Sequence, residues 1–352
     1  MNFKKTYYPY FDYLRIALAT VVMLGHDGLI HWGQSGNLAV QVFFALSGWL
    51  IGGILLRIST DDLPRFYFNR ALRIWIPYYV ACLLLILASL LHDPINLKWA
   101  EFVFYKLSFV YNIFGPPQLA QYVQNMPLQG TGNHFWSVNA EEQFYLVAPL
   151  ILVLAAQKFG RSVLFWSAIT LTAWLTNTYG SIVFGVLAAV VVHHYGPIHL
   201  KNRIRYVLFA ITLASIVGIV GGINYALLSP IFSVGVVLLL AIKGTQGRVG
   251  VFLGGMSYPL YLNHWIGVFM GNLLLSPLNL RDSPLRHILS IILNLGIAAG
   301  LYWWIDRRIV EVRGSLFSKK RGLIAISIAY SLAVIGVVVG LSFTLFGPGL
   351  VK

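Results

Sequence analysis

Two ionisable residues, Arg15 and His26, lie in an apolar stretch that is long enough to cross a bilayer. They are eleven residues apart, so an α-helix places them on one face, roughly 16 Å apart along its axis. Histidine titrates near neutral pH, and a buried imidazole can accept the proton of a hydroxyl group as a general base. The spacing equally fits an arginine that reaches lipid phosphates and a histidine hydrogen-bonded near the interface. Asp27 follows His26 but points about 100° away on a helix, which makes it a poor orienting partner.

A second polar island is formed by two adjacent carboxylates, Glu141 and Glu142, about two turns into the apolar segment that begins HFWSVNAEEQFYL. Ionisable groups at membrane depth are costly and usually face the protein interior or a cavity. One carboxylate is expected to pair with His26 and hold its imidazole in one tautomer, as the acid does in catalytic triads. The alternative is that one glutamate pairs locally while the other faces water. The sequence does not decide which of the two acts.

A third candidate is a pair of arginines, Arg70 and Arg73, which share one face of a helix at the predicted inner surface. Guanidinium forks bind phosphate bidentately, but anchoring beside anionic lipid explains the pair equally well. His264 is expected to be a packed, hydrogen-bonded core histidine. The remaining histidines lack the carboxylate or cysteine neighbours of a metal site, so no metal is expected.

Transmembrane helices must position these residues. The 352 residues are 58% hydrophobic and only 10% charged, whereas a soluble domain carries about a quarter charged residues. Apolar blocks near the ~20-residue length of a membrane span cover roughly 10–31, 37–56, 74–91, 135–157, 162–177, 180–195, 205–222, 224–242, 249–275, 284–305 and 322–346. The sequence therefore predicts an all-α, polytopic transmembrane helix bundle of about eleven helices.

The placement of charge predicts the topology of the bundle. Most of the 25 Lys and Arg residues fall in alternate connecting segments, which the positive-inside rule assigns to the cytoplasm. The N-terminus is therefore predicted to be cytoplasmic and the C-terminus external. The same bias accounts for the net charge of +14 without a nucleic-acid partner. Cys82 is the only cysteine, so an intrachain disulfide is excluded.

Two connecting segments are unusual. The inner segment 61–73 reads as a basic interfacial helix, because Pro64 suits a first helical turn and aromatic residues follow it. The outer loop 92–134 is far longer than an ordinary connection and is rich in amides and tyrosines. Such side chains suit a sugar, although an unadorned loop has the same composition.

Taken together, five segments of the chain resemble the acyltransferase-3 family of membrane acyltransferases, which modify surface polysaccharides and related glycans. The resemblance runs from about residue 8 to 313. It rests on YFDYLRIALATVVMLGH with its Arg-X10-His motif at Arg15 and His26, VQVFFALSGWLIGGILL, RFYFNRALRIWIPYY with its F-X3-R-X2-R pattern at Phe66, Arg70 and Arg73, FWSVNAEEQFYLVAPL, and SYPLYLNHWIG.

The resemblance implies transfer of an acyl group, most often acetyl, from cytoplasmic acyl-coenzyme A to a sugar hydroxyl. By that resemblance His26 is the base or acyl relay, and Arg15 supports the site from below. Arg70 and Arg73 are needed near the donor entrance, and Glu141 or Glu142 supports the histidine. Acetyl-coenzyme A is expected as a donor substrate and not as a bound cofactor.

The combined expectation is a multi-pass enzyme of the bacterial cytoplasmic membrane whose partners are acyl-coenzyme A, a glycan or lipid-linked sugar, and membrane lipids. Residues 1–321 form the acyltransferase domain of about ten helices, and residues 322–352 add one C-terminal helix. The rival hypothesis is a proton-coupled secondary transporter in which Arg15, His26 and Glu141 line the proton path. Transporters often show paired, interrupted repeats, and the sequence has no such pairing.

Overall fold

Helices make up nearly all of the structure. The computed structural model describes residues 7–116, 119–155 and 157–346, and within these ranges no strand is present. The ends of the two predicted domains, residues 1–6 and 347–352, lie outside the described residues. The prediction of an all-α fold is confirmed for the described chain.

Sixteen α-helices follow one another along the described residues. They are α1 Pro9–His26, α2 Ser35–Leu55, α3 Leu63–Leu90, α4 Leu97–Leu107, α5 Tyr111–Phe114, α6 Leu119–Tyr122, α7 Phe135–Pro149, α8 Gln157–Gly160, α9 Val163–Leu175, α10 Gly180–Tyr195, α11 Asn202–Val220, α12 Tyr225–Leu240, α13 Arg248–Leu275, α14 Pro284–Leu301, α15 Arg307–Leu316 and α16 Lys319–Phe346. Each of the eleven apolar blocks of the sequence is helical. Two wider, π-helical turns, Leu150–Leu154 and Tyr302–Asp306, extend α7 and join α14 to α15.

Five of the described helices are long and apolar enough to cross a membrane, which identifies the chain as an integral membrane protein. They are Ser35–Leu55, Thr60–Leu90, Asn202–Val220, Pro284–Leu316 and Lys319–Phe346. Three shorter apolar helices, α9, α10 and α12, accompany them. The count of eleven crossings and the cytoplasmic N-terminus stay predictions.

The structure differs from the predicted boundary between an interfacial helix at 61–73 and a span at 74–91. A single helix, α3, runs from Leu63 to Leu90 without a break. Pro64 lies in its first turn, where no intrahelical N–H bond is lost. Arg70 and Arg73 interrupt the apolar pattern of the sequence but do not interrupt the backbone.

The predicted outer loop 92–134 is largely folded. It contains α4 to α6 and a small apolar core of Phe102, Tyr105, Val110, Tyr111 and Met126. The Asn96 side chain accepts a hydrogen bond of 2.9 Å from the backbone N–H of Trp99 and so caps the start of α4.

Contacts divide the chain into two compact units. Unit 1 comprises Met1–Thr60 and Ala148–Gly300, and unit 2 comprises Asp61–Val147 and Leu301–Lys352. In unit 1, α2 packs on α10 and α1 packs on α13, whereas in unit 2 both α15 and α16 pack on α3. The predicted division of the chain at residue 322 stays a prediction, but α16 packs within unit 2 as an integral helix.

The closest helix pair of unit 1, α2 with α10, depends on glycine. A Cβ added at Gly48 would lie 2.1 Å from the carbonyl oxygen of Ile182, and one at Gly185 would lie 2.2 Å from that of Ala45. Small residues of this kind let two membrane helices approach until their backbones touch.

Candidate active site

The predicted site residues are distributed over both units. Arg15 and His26 belong to unit 1, and Arg70, Arg73, Glu141 and Glu142 belong to unit 2. Each unit brings its own residues together with partners that the sequence did not reveal.

His26 is the last residue of α1. Its Nδ1 lies 2.9 Å from the carbonyl oxygen of Val22, one turn earlier in the same helix. Because a carbonyl only accepts hydrogen bonds, Nδ1 carries the proton of the neutral ring, and the lone pair lies on Nε2. The backbone of α1 therefore selects the tautomer in which Nε2 is the basic atom.

A second imidazole lies beside His26. The ring of His264, on α13, is 4.9 Å from that of His26 between centroids, with an angle of 33° between the ring planes. His264 is only 2% exposed, and its Nδ1 lies 2.8 Å from the carbonyl oxygen of Tyr261. The expected buried, hydrogen-bonded state of His264 is confirmed, but its place next to His26 was not predicted.

The two histidines meet because α1 and α13 approach each other closely. A Cβ added at Gly254 of α13 would lie 2.6 Å from the Cβ of Asp12 on α1. We call His26 and His264 the histidine pair. Both rings use Nδ1 to bind a backbone carbonyl, so both keep Nε2 for other chemistry.

Arg15 has a different neighbour. Its Nη1 forms an ion pair of 3.2 Å with the Asp12 carboxylate, three residues earlier on α1. The hydroxyl of Tyr7 also donates to Asp12. Because α1 is continuous, Arg15 lies roughly 16 Å from His26 along the helix axis. Its observed role is to neutralise a buried carboxylate, and its predicted support of the site stays a prediction.

The two glutamates differ sharply in unit 2. Glu142 is buried at 5% exposure, and the indole Nε1 of Trp75 donates to its Oε1 at 2.7 Å. Its Oε2 is buried and has no hydrogen-bond partner among the described residues. Glu141 is half-buried and accepts a hydrogen bond of 3.2 Å from the Tyr145 hydroxyl. The predicted pairing of either glutamate with His26 stays a prediction.

Arg70, Arg73 and a third residue, Arg313 of α15, form what we call the arginine cluster. The charges of Arg73 and Arg313 both act on Arg70, and they also act on each other. The Arg70 guanidinium lies 5.7 Å from the ring centroid of Tyr145. In the part of the chain that the structure describes, none of the three forms an ion pair with a carboxylate.

Three guanidinium groups that repel one another and lack a carboxylate partner are suited to binding a phosphate group. The sequence analysis missed Arg313 because it is distant in sequence from Arg70. Only the packing of α15 on α3 brings it near.

Comparison with known proteins gives two similar relatives. The peptidoglycan O-acetyltransferase OatA of Listeria monocytogenes is 29% identical over 173 residues, which are 44% of this chain and 25% of that protein. The O-acetyltransferase OatA of Staphylococcus aureus is 28% identical over 159 residues, which are 44% of this chain and 26% of that protein. The match thus spans about a quarter of each relative's length. No solved structure matches the chain significantly.

The family comparison covers most of the chain. A model described as an acyltransferase domain matches residues 8–303. This range contains the histidine pair together with Arg70, Arg73 and both glutamates. The resemblance expected from five short segments is therefore confirmed, and the chain belongs to the acyltransferase-3 family.

Proposed function

We propose that this chain transfers an acetyl group from acetyl-coenzyme A, taken from the cytoplasmic side, to a hydroxyl group of a cell-surface or lipid-linked glycan. Family membership over residues 8–303 supports acyl transfer. The names of the relatives, which are O-acetyltransferases, support acetyl as the group and a glycan as the acceptor. Peptidoglycan is the first acceptor to test, because the Listeria relative is named for it.

The observation that carries the proposal is the tautomer of His26. With Nδ1 donating to Val22, Nε2 can take the proton from the acceptor hydroxyl as its oxygen attacks the thioester carbonyl carbon. The carbon–sulfur bond then breaks, and the proton passes from Nε2 to the departing coenzyme A sulfur. The products are an O-acetyl ester and coenzyme A, so the histidine ends as it began.

The histidine pair supports this role of His26. Ring contact with the buried His264 restricts the rotation of the His26 imidazole, which lowers the entropic cost of reaching a reactive geometry. We assign His264 a positioning role, because its Nδ1 is tied to Tyr261 within α13.

The arginine cluster is proposed to hold the coenzyme A phosphates. Arg70, Arg73 and Arg313 lie on α3 and α15 of unit 2, and their mutual repulsion favours a bound polyanion. The orphan Oε2 of Glu142 offers a buried acceptor for an N–H or O–H donor. This second part of the proposal is separate from the role of His26 and has its own test.

Full-length protein in lipid nanodiscs, radiolabelled acetyl-coenzyme A and sonicated bacterial cell envelopes provide the test. The envelopes supply the acceptor whichever glycan it is. Wild-type protein is expected to release coenzyme A and to label envelope glycan, and His26→Ala is expected to abolish both. His194→Ala, which changes an exposed histidine of unit 1, is the matched control and retains activity. Wild-type labelling by folded His26→Ala protein would show that the proposed base is wrong.

For the donor site, the double variant Arg70→Ala with Arg73→Ala is expected to raise the KM for acetyl-coenzyme A far more than the KM for the glycan. Arg65→Ala is the control on the same helix, because its guanidinium is exposed and lies over the Phe317 ring at 5.3 Å. If both KM values stay at the wild-type level, the arginines do not bind the donor.

A further inference from the structure

The residue after His26 is held by three contacts. The Asp27 side chain is only 1% exposed, and its Oδ1 accepts a hydrogen bond of 2.7 Å from Nη1 of Arg286. Its Oδ2 lies 2.7 Å from Nδ1 of His287, which donates to the carboxylate. Nη2 of Arg286 also reaches the backbone carbonyl of Asp27 at 3.2 Å. We call Asp27, Arg286 and His287 the α1 clamp.

The clamp acts where α1 is weakest. The last carbonyl groups of a helix have no intrahelical donor, and helix ends fray unless other groups bind them. Here α1 ends at His26, and the chain leaves it through Gly28, whose φ of +81° is the left-handed conformation that glycine tolerates. Arg286 supplies a donor to a terminal carbonyl and a positive charge at the negative end of the helix.

Both parts of Asp27 are therefore fixed to the first turn of α14, which begins at Pro284. The expectation that Asp27 does not orient His26 through a direct bond agrees with this geometry, because its two carboxylate oxygens bind Arg286 and His287. The cluster acts on the position of the helix end and not on the imidazole itself.

We infer that Arg286 and His287, by clamping Asp27, position the imidazole of His26 for proton transfer. The inference rests on the proposed role of His26 as the base. The Nδ1 bond of His26 reaches back one turn to Val22, so it keeps its geometry only while the last turn of α1 stays helical. The contact with His264 depends on the same turn.

The test compares kcat and KM in the envelope assay for Asp27→Asn and Arg286→Gln. Each variant is expected to lower kcat on the order of 10- to 100-fold, because a small misplacement of a reacting group is enough for such a loss. The KM for acetyl-coenzyme A stays at the wild-type value. The double variant loses no more activity than the worse single variant, because both changes break one ion pair.

Conservative variants separate positioning from a general loss of structure. Arg286→Lys keeps the charge and recovers part of kcat, and His287→Gln keeps a donor and retains more activity than His287→Ala. Glu311→Gln is the matched control, because it breaks an Arg–carboxylate pair of the same 2.7 Å length at an exposed position. It leaves kcat unchanged.

Each outcome has a distinct meaning. Size-exclusion profiles and thermal midpoints give the folded fraction, and kcat is expressed per folded protein. If kcat per folded protein is unchanged in Asp27→Asn and Arg286→Gln while His26→Ala is inactive, the positioning inference fails and the proposed function stands. If His26→Ala is active, the proposed function itself fails.

Discussion

At the scale of single residues, the sequence predicted which side chains carry chemistry but not which side chains they meet. His26, Glu142 and Arg70 were identified by type and by their place in apolar segments. Their neighbours His264, Trp75 and Arg313 come from helices that only the tertiary fold brings together. The sequence left Glu141 and Glu142 equivalent, whereas burial distinguishes them, because only Glu142 is enclosed.

The first residue-scale prediction concerns Trp75, whose indole is the hydrogen-bond partner of Glu142. Trp75→Phe leaves both carboxylate oxygens of Glu142 without a hydrogen bond in the described structure. The free energy of unfolding, measured by denaturant titration in mixed micelles, is expected to fall by about 1–3 kcal/mol.

The matched control is Trp99→Phe, which removes an indole hydrogen bond of the same 2.7 Å length to the neutral hydroxyl of Ser89. A smaller loss, about 0.5–1.5 kcal/mol, is expected there. Equal losses in the two variants would show that the Trp75 bond to the carboxylate is not special.

The second residue-scale prediction concerns Lys106, a 3% exposed lysine of α4. Its Nζ donates to the carbonyl of Gly132 at 3.1 Å and lies 3.4 Å from the ring centroid of Tyr111. The ring contact favours the charged amine, but burial outweighs it and lowers the pKa of Lys106 from 10.5 to about 7.

Between pH 7 and 10.5 the unfolded chain therefore binds a proton at Lys106 that the folded chain does not, so the free energy of unfolding rises with pH. The thermal midpoint is expected to increase from pH 7 to 9, and Lys106→Met is expected to remove this part of the slope. Lys98→Met, on the same helix, is the control that keeps it. An unchanged slope in Lys106→Met would contradict the assignment.

At the scale of elements, helix positions were largely predictable and helix continuity was not. The apolar blocks gave the position of each long helix, because hydrophobic length is imposed by the bilayer. The boundary predicted before Ile74 was wrong for the helix itself, since Arg70 and Arg73 lower hydropathy without breaking backbone hydrogen bonds. The π-helical turn Tyr302–Asp306 has no sequence signature of its own.

The element-scale prediction concerns the contact of α2 with α10. Alanine is normally preferred to glycine inside a helix by about 1 kcal/mol. Gly48→Ala is nevertheless expected to lower the thermal midpoint, because its Cβ would overlap the Ile182 carbonyl oxygen at 2.1 Å. Gly53→Ala, on the same helix, meets no atom within 4 Å and leaves the midpoint unchanged or raises it. A midpoint for Gly48→Ala at or above wild type would contradict the packing.

At the scale of the whole molecule, the chemistry is divided between the two compact units. Unit 1 holds the histidine pair and the α1 clamp, and unit 2 holds the arginine cluster with Glu142. The sequence order does not announce this division, since each unit is assembled from two separate stretches of the chain. The family resemblance was visible in short motifs because these motifs coincide with the polar positions of otherwise apolar helices.

The whole-molecule prediction concerns topology. Thr178 and Ser318 are both exposed and lie on opposite sides of the membrane if the N-terminus is cytoplasmic. A membrane-impermeant maleimide applied to intact cells is expected to label Thr178→Cys and to label Ser318→Cys only after permeabilisation. The unsubstituted protein is the control and stays unlabelled. The reverse pattern would overturn the predicted orientation.

One feature of α3 extends beyond these tests. Cys82 is 1% exposed, and it is the only thiol of the chain. A small, membrane-permeant thiol reagent can reach it only when the surrounding packing opens. The slow modification rate of the unaltered protein is therefore a natural clock for the breathing of the helix that carries Arg70, Arg73 and Trp75. Slower ticking on addition of coenzyme A would report donor binding without a single substitution.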